Sequence, residues 1–246
     1  MGINMTVSIQ DQVVLIVGAS SGIGRLATAF FARDGARVVA AARRYDRLQS
    51  LKDELATEQL DITIRQTDAC RLQDVQQLTH ETLARFGRID IVIYACGTNT
   101  PERTMERLQP DVWNSILDTN LNGAFYVSHA VLPSMRSAHS GHLIYVSSIA
   151  GVLADLSGAA YQASKRGMLG LAHAIRLEER QNGIRTCVIC PGLTNTELVE
   201  KRAKKLAPEV LAKALHPQDV AEMILYIAKL PSRATIPEIQ MMPAEE

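Results

Sequence analysis

Val13-Val-Leu-Ile-Val17-Gly18-Ala-Ser-Ser-Gly22-Ile-Gly24 decides the fold. Its apolar, mostly β-branched start reads as a strand covered on both faces, over residues 13–18. The run passes into a glycine-rich turn, and the turn opens a helix over 22–34. In that setting a glycine fingerprint carries meaning, because the unpaired amides of a helix N-terminus face outward toward anionic oxygen. Gly18 permits the tight turn, and Gly22 and Gly24 let phosphates and the helix backbone come close. The stretch points to a bound dinucleotide.

The same alternation continues to the end of the chain. Further strands are expected at 37–42, 62–66, 89–95, 142–147, 184–190 and 236–241, several of them apolar almost throughout. Helices are expected at 45–58, 71–86, 110–136, 159–182 and 217–230. Asp34-Gly35, Phe86-Gly87 and Asn182-Gly183 put a glycine where a helix needs a left-handed cap. Strand–helix alternation implies a parallel sheet with right-handed crossovers. The expected fold class is α/β: a single-domain, Rossmann-type doubly wound parallel sheet of about seven strands with helices on both faces, binding ligand at the carboxyl ends of the strands.

Bulk properties narrow the partners. The 246 residues suit one domain, residues 1–246, and 26 basic residues balance 26 acidic ones. No strong field draws the chain to nucleic acid or anionic lipid. No apolar run approaches the ~18 residues of a membrane span, and the N-terminus has no secretory pattern, so a cytoplasmic protein is expected. Met1-Gly2-Ile-Asn-Met-Thr6 fits a loose acylation pattern without the basic cluster that would make one chain an anchor.

Cys70, Cys96, Cys187 and Cys190 make no disulfide framework. Cys187 and Cys190 lie three apart on an expected strand, on opposite faces, and so cannot share a metal. No metal is expected. His139 and His142 flank Ser140-Gly141 and read as solvated loop histidines without an acidic partner.

The cofactor type is written at the end of the second strand. An NAD-binding chain would carry a carboxylate there for the ribose, but this one reads Ala41-Ala42-Arg43-Arg44. A guanidinium suits a 2′-phosphate, and positive charge at a helix N-terminus opposes the macrodipole. NADP(H) is therefore favoured over NAD(H).

A second constellation lies downstream. Tyr161 and Lys165, at i and i+4, share a helix face, and Ser148 precedes the tyrosine by 13 residues. A phenol of pKa ~10 needs a nearby cation to act as a base near neutrality. Together these residues describe a proton donor beside a hydride carrier.

Across essentially its whole length the chain resembles the classical short-chain dehydrogenase/reductase family. The glycine turn matches Thr-Gly-x-x-x-Gly-x-Gly, with Val17 in the threonine position, and Tyr161-Gln-Ala-Ser-Lys165 matches Tyr-x-x-x-Lys. Ser148, Asn120 in Asp118-Thr-Asn-Leu121, Asp68 and Pro191-Gly192 match by position. The resemblance implies catalysis by Asn120, Ser148, Tyr161 and Lys165, with Ser148 and Tyr161 touching substrate and Asn120 positioning a relay water. It implies a cofactor site of Gly18, Ser20, Ser21, Gly22, Ile23, Gly24, Arg43, Arg44, Asp68, Ala69, Ala95, Gly97, Tyr161, Lys165, Pro191, Gly192, Thr194 and Thr196. A homotetramer or homodimer packed through helices 110–136 and 159–182 is also implied. The chain departs from the family at Tyr94-Ala95-Cys96-Gly97, where Asn-Asn-Ala-Gly is usual, and that departure puts local stability and cofactor affinity in question.

Residues 193–216 are expected to form a polar lid over the substrate. Val152, Leu153, Leu156, Leu193 and Leu198 are the expected pocket walls. The expected activity is NADPH-dependent transfer of hydride between the cofactor and a small-molecule carbonyl compound or secondary alcohol. Basic lid residues make a 3-oxoacyl substrate the leading specific expectation. The competing reading is a non-catalytic NADP(H)-binding sensor or scaffold. A sugar-nucleotide epimerase fits less well, because its glycine spacing and C-terminal region differ.

Overall fold

Strand β1, Val13–Val17, has no polar side chain and is buried along its whole length. In the computed structural model, which describes residues 6–202 and 204–245, it lies at the centre of a seven-stranded sheet. The remaining strands are β2 (Arg37–Ala42), β3 (Thr63–Gln66), β4 (Ile91–Tyr94), β5 (Gly141–Val146), β6 (Ile184–Pro191) and β7 (Glu238–Met241). Their order is β3-β2-β1-β4-β5-β6-β7, and every pairing is parallel. The order reverses between β1 and β4, which opens a crevice at their carboxyl ends. Residues 1–5 of the coincidental acylation match, Met1–Thr6, lie outside the described residues.

Helices cover both faces because alternate strand residues point each way. Val14 and Ile16 join one apolar layer with α1 (Gly22–Arg33), α2 (Tyr45–Thr57) and α8 (Pro217–Ala228). Leu15 and Val17 join the other, with α3 (Leu72–Phe86), α5 (Gly123–Ala138) and α6 (Ala159–Glu179). Fully burying one such aliphatic side chain contributes about 1.5–3 kcal/mol, so this double layer supplies a rigid platform for the loops above it. Cys187 falls in the first layer and Cys190 in the second, on opposite faces as the spacing predicts. No group of residues suited to hold a metal ion occurs among the described residues, and no described helix is long and apolar enough to cross a membrane.

The cap glycines Gly35, Gly87 and Gly183 take φ of +85°, +74° and +69°. Two expectations need correction. Residues 110–136 are not one helix: α4 (Pro110–Leu117) passes through a π-helical segment, Asp118–Asn122, into α5. Its sequence Asp-Thr-Asn-Leu-Asn forms α-helix poorly, and the wider turn frees a backbone carbonyl that Tyr94 engages. His142 is not solvated either. It sits in β5, 2% exposed, and neither ring nitrogen finds a partner among the described residues. Burial and the Arg185 charge hold its pKa down to about 3.

Candidate active site

The carboxyl ends of β1, β2, β4, β5 and β6 open into one cleft of about 700 Å³. At its near end, the chain leaves β1 through Gly18 at φ +98° and enters α1 through Gly22 at φ +54°. A left-handed turn at these two glycines leaves the cradle bare of side chains. Gly24 does not line the cleft: a Cβ there would come within 2.3 Å of the Gly18 carbonyl oxygen, so its bareness lets α1 pack on the turn. Ser20, Ser21, Gly22 and Ile23 face the cleft, as do Asp68, Ala69, Ala95 and Gly97. Pro191, Gly192, Thr194 and Thr196 close the far side.

The two arginines after β2 have different surroundings. Arg44 donates to the Ser20 hydroxyl at 3.0 Å, to the Ser21 hydroxyl at 2.6 Å and to Glu197 at 2.9 Å. Arg47 also pairs with Glu197. The side chain of Arg43 bonds no other described residue and lines the cleft. A phosphate-bearing dinucleotide suits this end: bare glycine turn, serine hydroxyls, helix N-terminus and an uncommitted guanidinium.

Deeper in, β5 ends at Ser147-Ser148. Ser147 Oγ donates to the Lys165 carbonyl at 2.9 Å and pins α6 against the strand. Ser148 caps a short 3₁₀ turn, Ile149–Gly151, accepting from the Ala150 amide at 3.2 Å. Tyr161 and Lys165, on one face of α6, are 8% and 3% exposed, with the amine 5.8 Å from the ring centre. Lys165 Nζ donates to the Val146 carbonyl at 2.9 Å. Burial lowers the Lys165 pKa to about 8. Burial also raises the Tyr161 pKa, and the hydroxyl of Ser148 opposes that rise. Withdrawal from water disfavours the charged form of both groups.

Asn120 does not line the cleft but is wholly buried behind it. Its Nδ2 donates to the Thr98 carbonyl and to Ser164 Oγ, both at 3.0 Å, while Oδ1 accepts from the Thr98 amide at 2.7 Å. One Oδ1 lone pair is left over. Thr98 and Ser164 thereby lock the loop after β4 to α6. Sequence reading missed both, because neither residue type is distinctive at its position.

The substrate end differs from expectation. Leu153, Leu193 and Leu198 line it, but Val152 packs into the core and Leu156 is 95% exposed. Asn99, Arg103, Asp155, Ser157, Lys201 and Arg202 stand there as well. The first part of the 193–216 segment, up to Arg202, borders this opening. It is held at its base by the Asn195 amide on the Leu215 carbonyl at 2.8 Å, and across the cleft by Lys201 Nζ on Thr98 Oγ1 at 2.7 Å.

A family model described as short chain dehydrogenase matches residues 12–207. The chain belongs to that family. An uncharacterized oxidoreductase of Staphylococcus saprophyticus is 33% identical over 245 residues, spanning 97% of this chain and 98% of the relative. Among solved structures, a serine dehydrogenase complexed with NADP+ superposes with a TM-score of 0.87 at 30% identity, covering 96% of both chains. The alcohol dehydrogenase of the archaeon Thermococcus sibiricus, complexed with 5-hydroxy-NADP, gives a TM-score of 0.86 at 26% identity, covering 96% and 98%. As a short-chain dehydrogenase the protein is an oxidoreductase whose fold binds a nicotinamide cofactor.

Proposed function

We propose that this short-chain dehydrogenase transfers hydride between NADP(H) and a carbonyl compound or secondary alcohol, with Tyr161 exchanging the proton. The observation that carries the reading is the shared cleft: Ser148, Tyr161 and Lys165 line the cavity that also takes in the glycine turn and Arg43. The nicotinamide, when bound, supplies or accepts the hydride.

The chain's own groups do the rest. A phenol raised by burial stays protonated at neutral pH, which suits Tyr161 to donate its proton to a carbonyl oxygen in the reductive direction. Ser148 donates a hydrogen bond to the same oxygen and orients it. Lys165 holds the ribose hydroxyls, and its charge favours the phenolate left after donation. The spare lone pair of Asn120 serves a water-mediated link from Lys165 to solvent. Arg43 pairs with a 2′-phosphate, with Ser20 and Ser21 beside it, and this arrangement favours NADPH over NADH.

The basic lid residues favour a 3-oxoacyl compound as substrate. The chain acts as one cytoplasmic domain, and pairs or quartets of it pack through α5 and α6.

A panel of ketones and 3-oxo compounds, followed by NADPH and NADH oxidation, tests the reading beside Tyr161→Phe. The variant should lose about 10²- to 10⁴-fold in kcat, the usual range for a lost general acid, and still bind NADPH. Full activity in Tyr161→Phe would refute the role given to the phenol. NADPH binding without turnover of any carbonyl compound would favour a sensor.

A further inference from the structure

We propose that Arg103 and Arg202 form a carboxylate subsite beside Tyr161, so that the substrate is a 3-oxo acid, or the corresponding 3-hydroxy acid, bound through its free carboxylate. The proposal rests on the carbonyl-reductase reading above and narrows its 3-oxoacyl substrate to the free acid.

Arg103 comes from the segment after β4 and Arg202 from the lid, and both line the end of the cleft where Tyr161 and Ser148 stand. The Arg103 guanidinium is half-buried, yet its bonds go only to neutral carbonyls: Nε to Thr100 at 3.1 Å and Nη2 to Lys201 at 2.7 Å. No described carboxylate forms an ion pair with either arginine. A guanidinium drawn out of water is ordinarily matched to an anion, and here a second one faces the same space. Burial and the neighbouring Arg202 charge both depress the Arg103 pKa, the strain that a bound anion relieves.

The site is also built around Arg103. Gly158, which caps α6 three residues before Tyr161, takes φ +97°, and a Cβ there would come within 2.6 Å of Arg103 Cβ. The turn that launches the catalytic helix thus packs directly against the main chain and Cβ of Arg103 and fixes the point from which its side chain extends. The other basic lid residue here, Lys201, is already committed to Thr98.

Charge and shape together favour a carboxylate. Asp155 lines the same end, with Oδ1 accepting from the Ser157 amide at 2.9 Å and from its hydroxyl. Arg103, Arg202 and Lys201 against Asp155 leave this end of the cleft positive, and a planar carboxylate suits the fork of a guanidinium, which can hold both of its oxygens at once. Both arginines line the same cleft as Tyr161 and Ser148, so an anion seated on them shares that cavity with the proton donor.

The test compares 3-oxobutanoate, its methyl ester and the matching pantetheine thioester in the wild type, Arg103→Gln, Arg103→Lys and Arg202→Gln. The wild type should prefer the acid over the ester by about tenfold or more in kcat/KM, a difference of ~1.4 kcal/mol. Each Gln variant should erase most of that preference, chiefly through KM, and Arg103→Lys should recover part of it. The Arg202 side chain bonds no other described residue, and its backbone amide bond to the Val199 carbonyl survives substitution, so its variant separates charge from lid anchoring. A second readout needs no turnover. Butanoate should raise the thermal midpoint of the NADPH-loaded wild type more than butanamide does at matched ionic strength, and not that of Arg202→Gln. Ester or thioester preferred over acid, or an acid preference unchanged in both Gln variants, overturns the subsite. If no carbonyl compound turns over, the reductase reading fails and butanoate binding alone decides the subsite; no selective shift then overturns it.

Discussion

The hydroxyl of Tyr94 lies 2.2 Å from the point where a Cβ on Gly123 would have to sit. The same hydroxyl donates to the Thr119 carbonyl at 2.6 Å, inside the π-helical segment that presents Asn120. A fully buried tyrosine at the family's asparagine position thus ties β4 to the π-helical segment by another bond, and glycine at 123 makes room for it. Gly123→Ala should cost about 1–3 kcal/mol as overpacking. Tyr94→Phe should cost about 1–3 kcal/mol by stranding the carbonyl. Urea unfolding of the double variant should show a loss well below the sum, because the phenylalanine vacates the space; strict additivity would refute the coupling.

Arg43 and Arg44 should separate on substitution. Arg43→Ala should lower the NADPH-over-NADH ratio of kcat/KM by about 10- to 100-fold, the worth of one charged hydrogen-bonded contact. Arg44→Ala should also loosen the serine turn, raising KM for both cofactors. Glu197 pairs with both Arg44 and Arg47 and offsets part of their charge, so Glu197→Gln should tighten NADPH and leave NADH within about twofold, a modest surface-pair effect. Fluorescence titration of the two cofactors reads all three.

Stability should rise with pH across two windows. The unfolded chain protonates His142 below about pH 6.5, whereas the folded chain resists until about 3. Stability is therefore lost as pH falls through that interval, by up to ~1.4 kcal/mol per pH unit from this group. His142→Leu should show a slope shallower by one proton between pH 4 and 6 in urea titrations. Lys165 behaves alike at higher pH: its folded pKa of about 8 lies below the usual 10.5, so removing its charge stabilises the fold between those values. Lys165→Met should lack that rise.

Ser164→Ala should leave an Asn120 N–H buried without its acceptor, at about 1–3 kcal/mol. If Asn120 acts through its position, kcat should fall about tenfold, ~1.4 kcal/mol, while NADPH affinity holds. Asn120→Ala should do the same more severely, since three bonds leave together. Equal losses in kcat and NADPH affinity would argue for general loosening instead.

The sequence by itself determined the alternation of strands and helices, the parallel sheet, the glycine turn, the left-handed caps at Gly35, Gly87 and Gly183, and the pairing of Tyr161 with Lys165. All are local: they depend on periods of 2 and 3.6 residues and on backbone angles that a single residue type fixes. Only the tertiary structure decided the rest. The π turn needed Tyr94 from a distant strand. The loss of water around Tyr161 and Lys165 depended on layers that no local pattern encodes. His142 was misread as solvated because its burial comes from strands on either side. Arg103 meets Arg202 across a cleft, 99 positions apart in the chain. Desolvation and long-range charge are sums over everything packed nearby, and they exist only once the sheet has gathered its loops at one edge.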